Sequence, residues 1–209
     1  MRILFQGDSI TDCGRARDNN IHLGNGYAHL VKSELGYLEP AKYEFFNRGI
    51  SGNRVVDVYA RLKKDILNLA PDMMSILIGV NDVWHDMELE PNGVDADKFF
   101  KIYCMLIEEV REALPDIKLM ILEPFCLPGT ATQKTEAHWA HFSTEVPKRA
   151  VMARKVAEKY GIPFVPLQAG FDKLCESAPA DYWLIDGVHP TAMGHQFIKN
   201  EWMKAFAKL

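Results

Sequence analysis

Long apolar runs, an excess of positive charge and paired cysteines are all missing from this chain, and each absence removes a class of function. No stretch of the 209 residues approaches the ~20 consecutive apolar residues that a bilayer-spanning helix needs. Lys and Arg number 24 against 28 Asp and Glu, a formal net charge of -4. The concentrated basic footprint of a nucleic-acid-binding protein is therefore lacking, as is a polybasic membrane contact. The four cysteines, Cys13, Cys104, Cys126 and Cys175, lie far apart with no C-x-x-C pair, a pattern of reduced, partly buried thiols and not of a disulfide framework. Gly24-x-Gly26 lacks the third glycine of a dinucleotide fingerprint and follows no strand, and no P-loop pattern occurs. His138 and His141 are spaced as helix-borne ligands can be, yet no third histidine or nearby carboxylate completes a metal set. Neither a metal nor a cofactor is expected.

What is present reads as an ordinary globular chain, 48% hydrophobic and 25% charged, of a length usual for one domain over residues 1–209. Arg2 to Phe5 reads as a strand running into Gly7. That leaves no room for a signal peptide and sets the expectation of a cytoplasmic protein. Further strand-like runs are expected at Ile3–Gln6 (the core of that first strand), Tyr43–Asn47, Met73–Ile78, Lys118–Leu122 and Phe164–Leu167. Between them, Val55, Val58, Leu62, Ile66 and Leu69 recur at spacings of three and four, one face of a helix. Phe99, Ile102, Leu106, Val110 and Leu114 repeat the pattern. Helices are also predicted over much of Glu145–Tyr160 and from about Thr191 to Ala207. Short apolar strands separated by helices imply a parallel sheet covered on both faces. About five strands in a βα repeat fit an α/β, flavodoxin-like doubly wound sheet. Two irregular stretches, Trp84–Asp95 and Gly129–His138, follow strands and could wall a pocket.

In such a sheet, ligands bind beyond the carboxyl ends of the strands. There the sequence sets Gly7-Asp8-Ser9-Ile10-Thr11, then Asn47-Arg48-Gly49-Ile50-Ser51-Gly52-Asn53, then Gly79-Val80-Asn81-Asp82, and finally Asp186-Gly187-Val188-His189-Pro190 before the last helix. Each has a bland reading as a turn or a helix cap. Together they supply what ester hydrolysis needs. A serine hydroxyl becomes nucleophilic when a histidine takes its proton, and a carboxylate fixes the imidazole tautomer and stabilises the imidazolium. The catalytic candidates are Ser9, Asp186 and His189. The N–H groups of Ser9 and Gly52 and the Asn81 amide are candidates for an oxyanion hole. Glycine at 52 suits close backbone approach and unusual dihedrals.

These blocks resemble the SGNH (GDSL-type) hydrolases. Gly7-Asp8-Ser9-Ile10 is similar to the nucleophile block, with Ile where the family name has Leu. Gly52 and Asn81 match the oxyanion glycine and asparagine, and Asp186 and His189 match the Asp-x-x-His block that completes the triad. All occur in order across essentially the whole chain. The resemblance implies a three-layer α/β/α fold and metal-free ester hydrolysis through an acyl-serine. The longer strings Gly7–Arg15, Arg48–Asn53 and Ile78–Trp84 resemble intracellular acetylxylan esterases of that superfamily. They imply deacetylation of xylo-oligosaccharides, a small-molecule ester partner. Rival readings are a lysophospholipase or thioesterase of the same fold, and a catalytically silent binding module. Trp84 and Trp183 are candidate sugar-stacking residues, whereas Trp139 is as readily a packing residue. His195 is expected to pack within the last helix. Helical spacing alone leaves open whether that helix serves a homo-oligomer.

Overall fold

The computed structural model describes residues 1–209. In chain order the elements are β1 (Arg2–Gly7), α1 (Ser9–Asp12), α2 (Tyr27–Leu38), β2 (Glu44–Asn47), α3 (Val55–Ala60), α4 (Leu62–Asp65), β3 (Met73–Leu77), α5 (Asn81–Trp84), α6 (Ala96–Ala113), β4 (Lys118–Leu122), α7 (Glu136–Tyr160), β5 (Phe164–Val165), α8 (Gln168–Leu174), α9 (Ala180–Trp183) and α10 (Ala192–Phe206). The five strands pair in parallel in the order β2-β1-β3-β4-β5. This is the flavodoxin-like doubly wound order, with its switch point between β1 and β3.

Alternation along the strands divides the core in two. Ile3 and Phe5 of β1, Met73 and Leu77 of β3, and Met120 and Leu122 of β4 pack toward α2, α8 and α10. Leu4, Met74, Ile76, Leu119 and Ile121 pack on the opposite face, toward α3, α4, α6 and the carboxyl half of α7. Every one of these strand side chains is buried, as a sheet covered on both faces requires. Trp202 and Ile198 of α10 lie against Phe5, Tyr27 and Val31, and the Trp202 and Phe5 rings are 5.6 Å apart. No helix is long and apolar enough to cross a membrane.

Three expectations need correction. The apolar face from Val55 to Leu69 is not one helix. It is divided into α3, α4 and a 3-10 turn at Leu67–Leu69, with breaks at Arg61 and Ile66. Val55, Val58, Leu62 and Ile66 are buried all the same, because short helices in sequence can present the same stripe. The last strand stops at Val165. Pro166 has no N–H to give a ladder, and the Glu123 carboxylate draws in the N–H groups of Leu167 and Gln168 at 2.7 and 2.9 Å. Helix α7 begins at Glu136, nine residues ahead of the expected start. Pro147 lies inside the helix, eleven residues past its start. The actual start is capped by the Thr135 hydroxyl, which accepts from the His138 N–H.

Candidate active site

Strand β1 ends in Gly7, and the chain turns at once into α1. The Asp8 carboxylate caps that turn by accepting from the Ile10 N–H at 3.0 Å. Ser9 is thereby held at the first position of a one-turn helix, where the backbone N–H has no intrahelical partner. A Cβ on Gly7 would come within 2.3 Å of the Leu77 carbonyl, so this turn sits tightly against β3.

From the opposite end of the sequence, Leu184 and Pro190 form an antiparallel bridge. The loop it closes displays Asp186 and His189. The Asp186 Oδ1 accepts from the N–H groups of Val188 and His189, both at 2.9 Å. Its Oδ2 accepts from His189 Nδ1 at 2.7 Å, and His189 Nε2 lies 2.9 Å from Ser9 Oγ. A proton on Nδ1 leaves Nε2 as the acceptor facing the serine. The residues from Leu127 to Thr132 brace this loop: the Leu127 N–H donates to the Gly187 carbonyl at 2.8 Å and the Ala131 N–H to the Asp186 carbonyl at 2.9 Å. Gly187 has φ +96°, and a Cβ there would meet the Leu127 carbonyl at 2.4 Å.

The titration of the chain of groups follows from these bonds. Burial raises the Asp186 pKa, but the His189 ring and two backbone N–H groups outweigh it and bring the carboxyl down to about 2. The Asp186 carboxylate in turn raises His189 above its ordinary 6.5, against the opposing effect of burial. Behind the serine, burial pushes the Asp8 carboxyl up to about 7, with the Ile10 N–H and His189 pulling the other way.

The Gly49–Asn53 turn packs onto α1 through two polar residues, Asn47 and Asp12, to which the sequence blocks assign no role. Asn47 is buried; its amide donates to the carbonyls of Thr11 and Leu23 at 2.6 and 2.8 Å, while its oxygen accepts from the Gly49 N–H at 2.8 Å. Asp12 accepts from the N–H and hydroxyl of Ser51 at 3.1 and 3.2 Å. For Asn47 the available signal is its position, a polar side chain directly following the apolar pair Phe45–Phe46 at a strand end; Asp12, at the end of α1, carries no such signal. Gly52 has φ +81°, and a Cβ there would find open space. Its N–H has no partner among the hydrogen bonds of the turn. Asn81 opens α5 and donates to the Asn53 carbonyl at 3.1 Å, which leaves one amide hydrogen free. Asp82 beside it accepts from the Val55 N–H at 3.0 and 3.2 Å, tying α5 to the start of α3.

The two tryptophans part company. The Trp84 ring lies 5.9 Å from the His189 ring and packs edge-on against Phe142. It borders a cleft of about 560 Å³ lined also by Met87, Glu88, Leu89, Glu90, Lys134 and His138, drawn from the two stretches that sequence reading left irregular. Trp183 lies in α9 with its Nε1–H spent on the carbonyls of Leu174 and Ala178 at 3.1 and 3.3 Å, so it has no free donor for a ligand. His195 packs as expected: it accepts from the Tyr27 N–H at 3.2 Å, and burial lowers its pKa to about 4. His138 bonds the Thr135 hydroxyl and His141 faces Asp86 at 3.8 Å.

A doubly wound α/β sheet carrying a Ser–His–Asp hydrogen-bonded chain at the carboxyl end of β1 defines a serine hydrolase. The chain belongs to the GDSL-like lipase/acylhydrolase family, whose model matches residues 5–197, and it is a carboxylic ester hydrolase. An acetylxylan esterase of Geobacillus stearothermophilus is 31% identical over 97% of this chain and 92% of its own length. The crystal structure of a catalytic mutant of that organism's acetylxylan esterase superposes with a TM-score of 0.85 at 28% identity, covering 98% of this chain and 93% of the other. A Parabacteroides merdae ATCC 43184 protein, assigned as a GDSL-like lipase, superposes with a TM-score of 0.91 at 38% identity, over 98% of this chain and 94% of that one.

Proposed function

We propose that the chain, acting as one hydrolase domain over residues 1–209, removes acetyl groups from xylo-oligosaccharides or related carbohydrates through an acyl-Ser9 intermediate. The observation that carries the reading is the unbroken hydrogen-bond chain from Ser9 Oγ through His189 to Asp186, at 2.9 and 2.7 Å. Ser9 Oγ attacks the ester carbonyl carbon while its proton passes to His189 Nε2. The C–O bond to the sugar breaks as that proton moves to the departing oxygen. Water then gives its proton to His189 and attacks the acyl carbon, releasing acetate and restoring Ser9. Through both steps Asp186 holds the ring and stabilises the imidazolium. The N–H groups of Ser9 and Gly52 and the free Asn81 amide hydrogen serve the developing oxyanion.

The carbohydrate half of the reading is supported by the named acetylxylan esterase relative and by the cleft beside His189. There Trp84, with Met87 and Leu89, shares the lining with Glu88, Glu90, Lys134 and His138, an aromatic platform with polar edges of the kind that suits a sugar ring. A long acyl chain would need an apolar trench in its place. The test is hydrolysis of p-nitrophenyl acetate, butyrate and octanoate, followed by acetylated xylo-oligosaccharides, by the wild type and by Ser9→Ala. Acetate turnover that vanishes in the variant is expected. A preference for octanoate would replace the carbohydrate reading with a lipid or thioester one, and turnover that survives in Ser9→Ala would remove Ser9 as nucleophile.

A further inference from the structure

Beside the Gly49–Asn53 turn, on the β2 side of the serine, a recess of about 360 Å³ is lined by Arg15, Arg17, Arg48, Ile50, Lys64 and Asp65. Four of these six residues are cations, in a chain whose net charge is -4. The nearby carboxylates are already engaged. Asp65 pairs with Arg61 at 2.9 Å, and Asp12 takes Arg17 at 2.5 Å together with Ser51. Five cations, Arg61 included, therefore meet two carboxylates. Lys64 is exposed, with neither a hydrogen-bond nor an ion-pair partner, and Arg48 bonds only the neutral Asn20 side chain and the Asn47 carbonyl. Arg15 and Arg17 anchor the cluster by donating to the Gly49 carbonyl at 2.8 and 3.4 Å. The mutual repulsion registers in the titration of Arg15. Burial first, then Arg17 and to a lesser degree Arg48, bring its pKa down to about 10 against the opposing pull of Asp12 and Asp65. An anion seated among these groups would relieve that repulsion.

We infer that this recess is a second binding site, which takes an anionic sugar substituent, a uronate carboxylate, borne by the oligosaccharide whose ester lies at Ser9. A guanidinium fork matches a planar carboxylate, and three arginines and a lysine provide several such donors around a space large enough for a sugar ring. The location favours a group attached to the substrate. Arg15 follows the helix that carries Ser9, and Arg48 and Ile50 lead into the turn that carries Gly52. Trp84 of the other cleft lies in α5, which follows β3, and β3 flanks β1 on the side opposite β2. An extended oligosaccharide with its acetyl group at Ser9 would therefore meet aromatic surface on one flank and cations on the other. Such a ligand presupposes the carbohydrate-ester reading above, but its binding can be measured without turnover.

The experiment is calorimetric titration of the full chain with two deacetylated xylo-oligosaccharides of equal length, one neutral and one bearing a uronic acid, and with inorganic phosphate. The wild type and the double variant Arg48→Gln/Lys64→Gln are compared, with thermal melts to establish that both are folded. The acidic oligosaccharide should bind the wild type about tenfold more tightly than the neutral one, as expected for one or two exposed charge contacts. That advantage should disappear in the double variant, and also at 1 M NaCl, where screening acts over about 3 Å. The neutral ligand should bind both proteins alike. Equal affinity for the two oligosaccharides in the wild type would overturn the inference. Phosphate binding as tight as that of the acidic sugar would overturn it too, by making the recess a general anion site. Failure of the carbohydrate-ester reading would show separately, as a preference for p-nitrophenyl octanoate or as the absence of Ser9-dependent turnover on any p-nitrophenyl ester.

Discussion

At the scale of single residues, the Ser9–His189–Asp186 chain sets testable limits on rate and pH. Because Asp186 holds the His189 pKa above 6.5, His189 in its proposed role as base loses function as pH falls through that raised value. A plot of log kcat/KM against pH should therefore bend downward on the acid side at a pH above 6.5. Asp186→Asn removes the carboxylate that raises the ring and allows the wrong tautomer. It should lower kcat by up to ~10⁴ and move what remains of the acid limb to lower pH. A variant with wild-type kcat would exclude Asp186 from the triad. Asn81→Ala should reduce kcat by about a hundred- to a thousandfold with little change in KM. Steady-state kinetics on p-nitrophenyl acetate separates that pattern from a plain loss of substrate binding.

At the scale of elements, the site depends on short turns fitted tightly against one another. The 184–190 loop that displays Asp186 and His189 packs closely on Leu127, and Gly187 there adopts φ +96° and leaves no side chain against the Leu127 carbonyl. Gly187→Ala places a Cβ 2.4 Å from that oxygen. The loop must then shift, because the obstacle is backbone. Activity should drop well over tenfold, with stability lowered by about 1–3 kcal/mol from the strained conformation. Chemical denaturation together with the kinetics tests both halves. Full activity at reduced stability would mean that the loop can move without disturbing the triad. The division of the Val55–Leu69 stripe into α3, α4 and a 3-10 turn belongs to this scale as well. Its break lies at Arg61, whose guanidinium donates to the Gln6 oxygen at 2.6 Å and to the Arg48 carbonyl at 2.6 Å. That arginine joins the helix layer to the end of β1, beneath the site.

For the whole molecule, the notable electrostatic feature is a pair of buried acids behind the reacting groups. Burial raises Asp82 to about 8 and Asp8 to about 7, each against the pull of a backbone N–H. A carboxyl whose pKa is higher folded than unfolded holds its proton more firmly in the native state. Its stabilisation is complete below the unfolded pKa of about 3.9 and is lost as pH rises through the folded value. Asp186, lowered to about 2, acts in the opposite sense, and its contribution is lost as pH falls below about 4 toward 2. His195, lowered to about 4, opposes part of the loss from Asp8 and Asp82 between about pH 4 and 6.5, but one group against two leaves thermal stability declining from about pH 4 to pH 8. Asp82→Asn keeps an acceptor for the Val55 N–H without the titrating proton. It should flatten that decline, as melting temperatures measured across the range would show. An unchanged slope would mean that Asp82 is ionised throughout.

The division between what could be read from sequence and what could not follows the range of the interactions. Alternation of apolar residues and the βα repeat are local, so the strands of β1, β3 and β4 and the doubly wound parallel class were legible in the chain. Ser9, Gly52, Asn81, Asp186 and His189 stood out because each block carries its chemistry within a few residues. Tertiary structure alone decided that Ser9 and His189, 180 positions apart, lie within one hydrogen bond. It alone decided that Asn47 and Asp12 lock the glycine turn onto the serine helix, and that Trp84 and not Trp183 faces the histidine. Those outcomes depend on which strand lies beside which and on where backbone groups find partners. No local pattern encodes that, because it is set by the packing of two layers of helices on one twisted sheet.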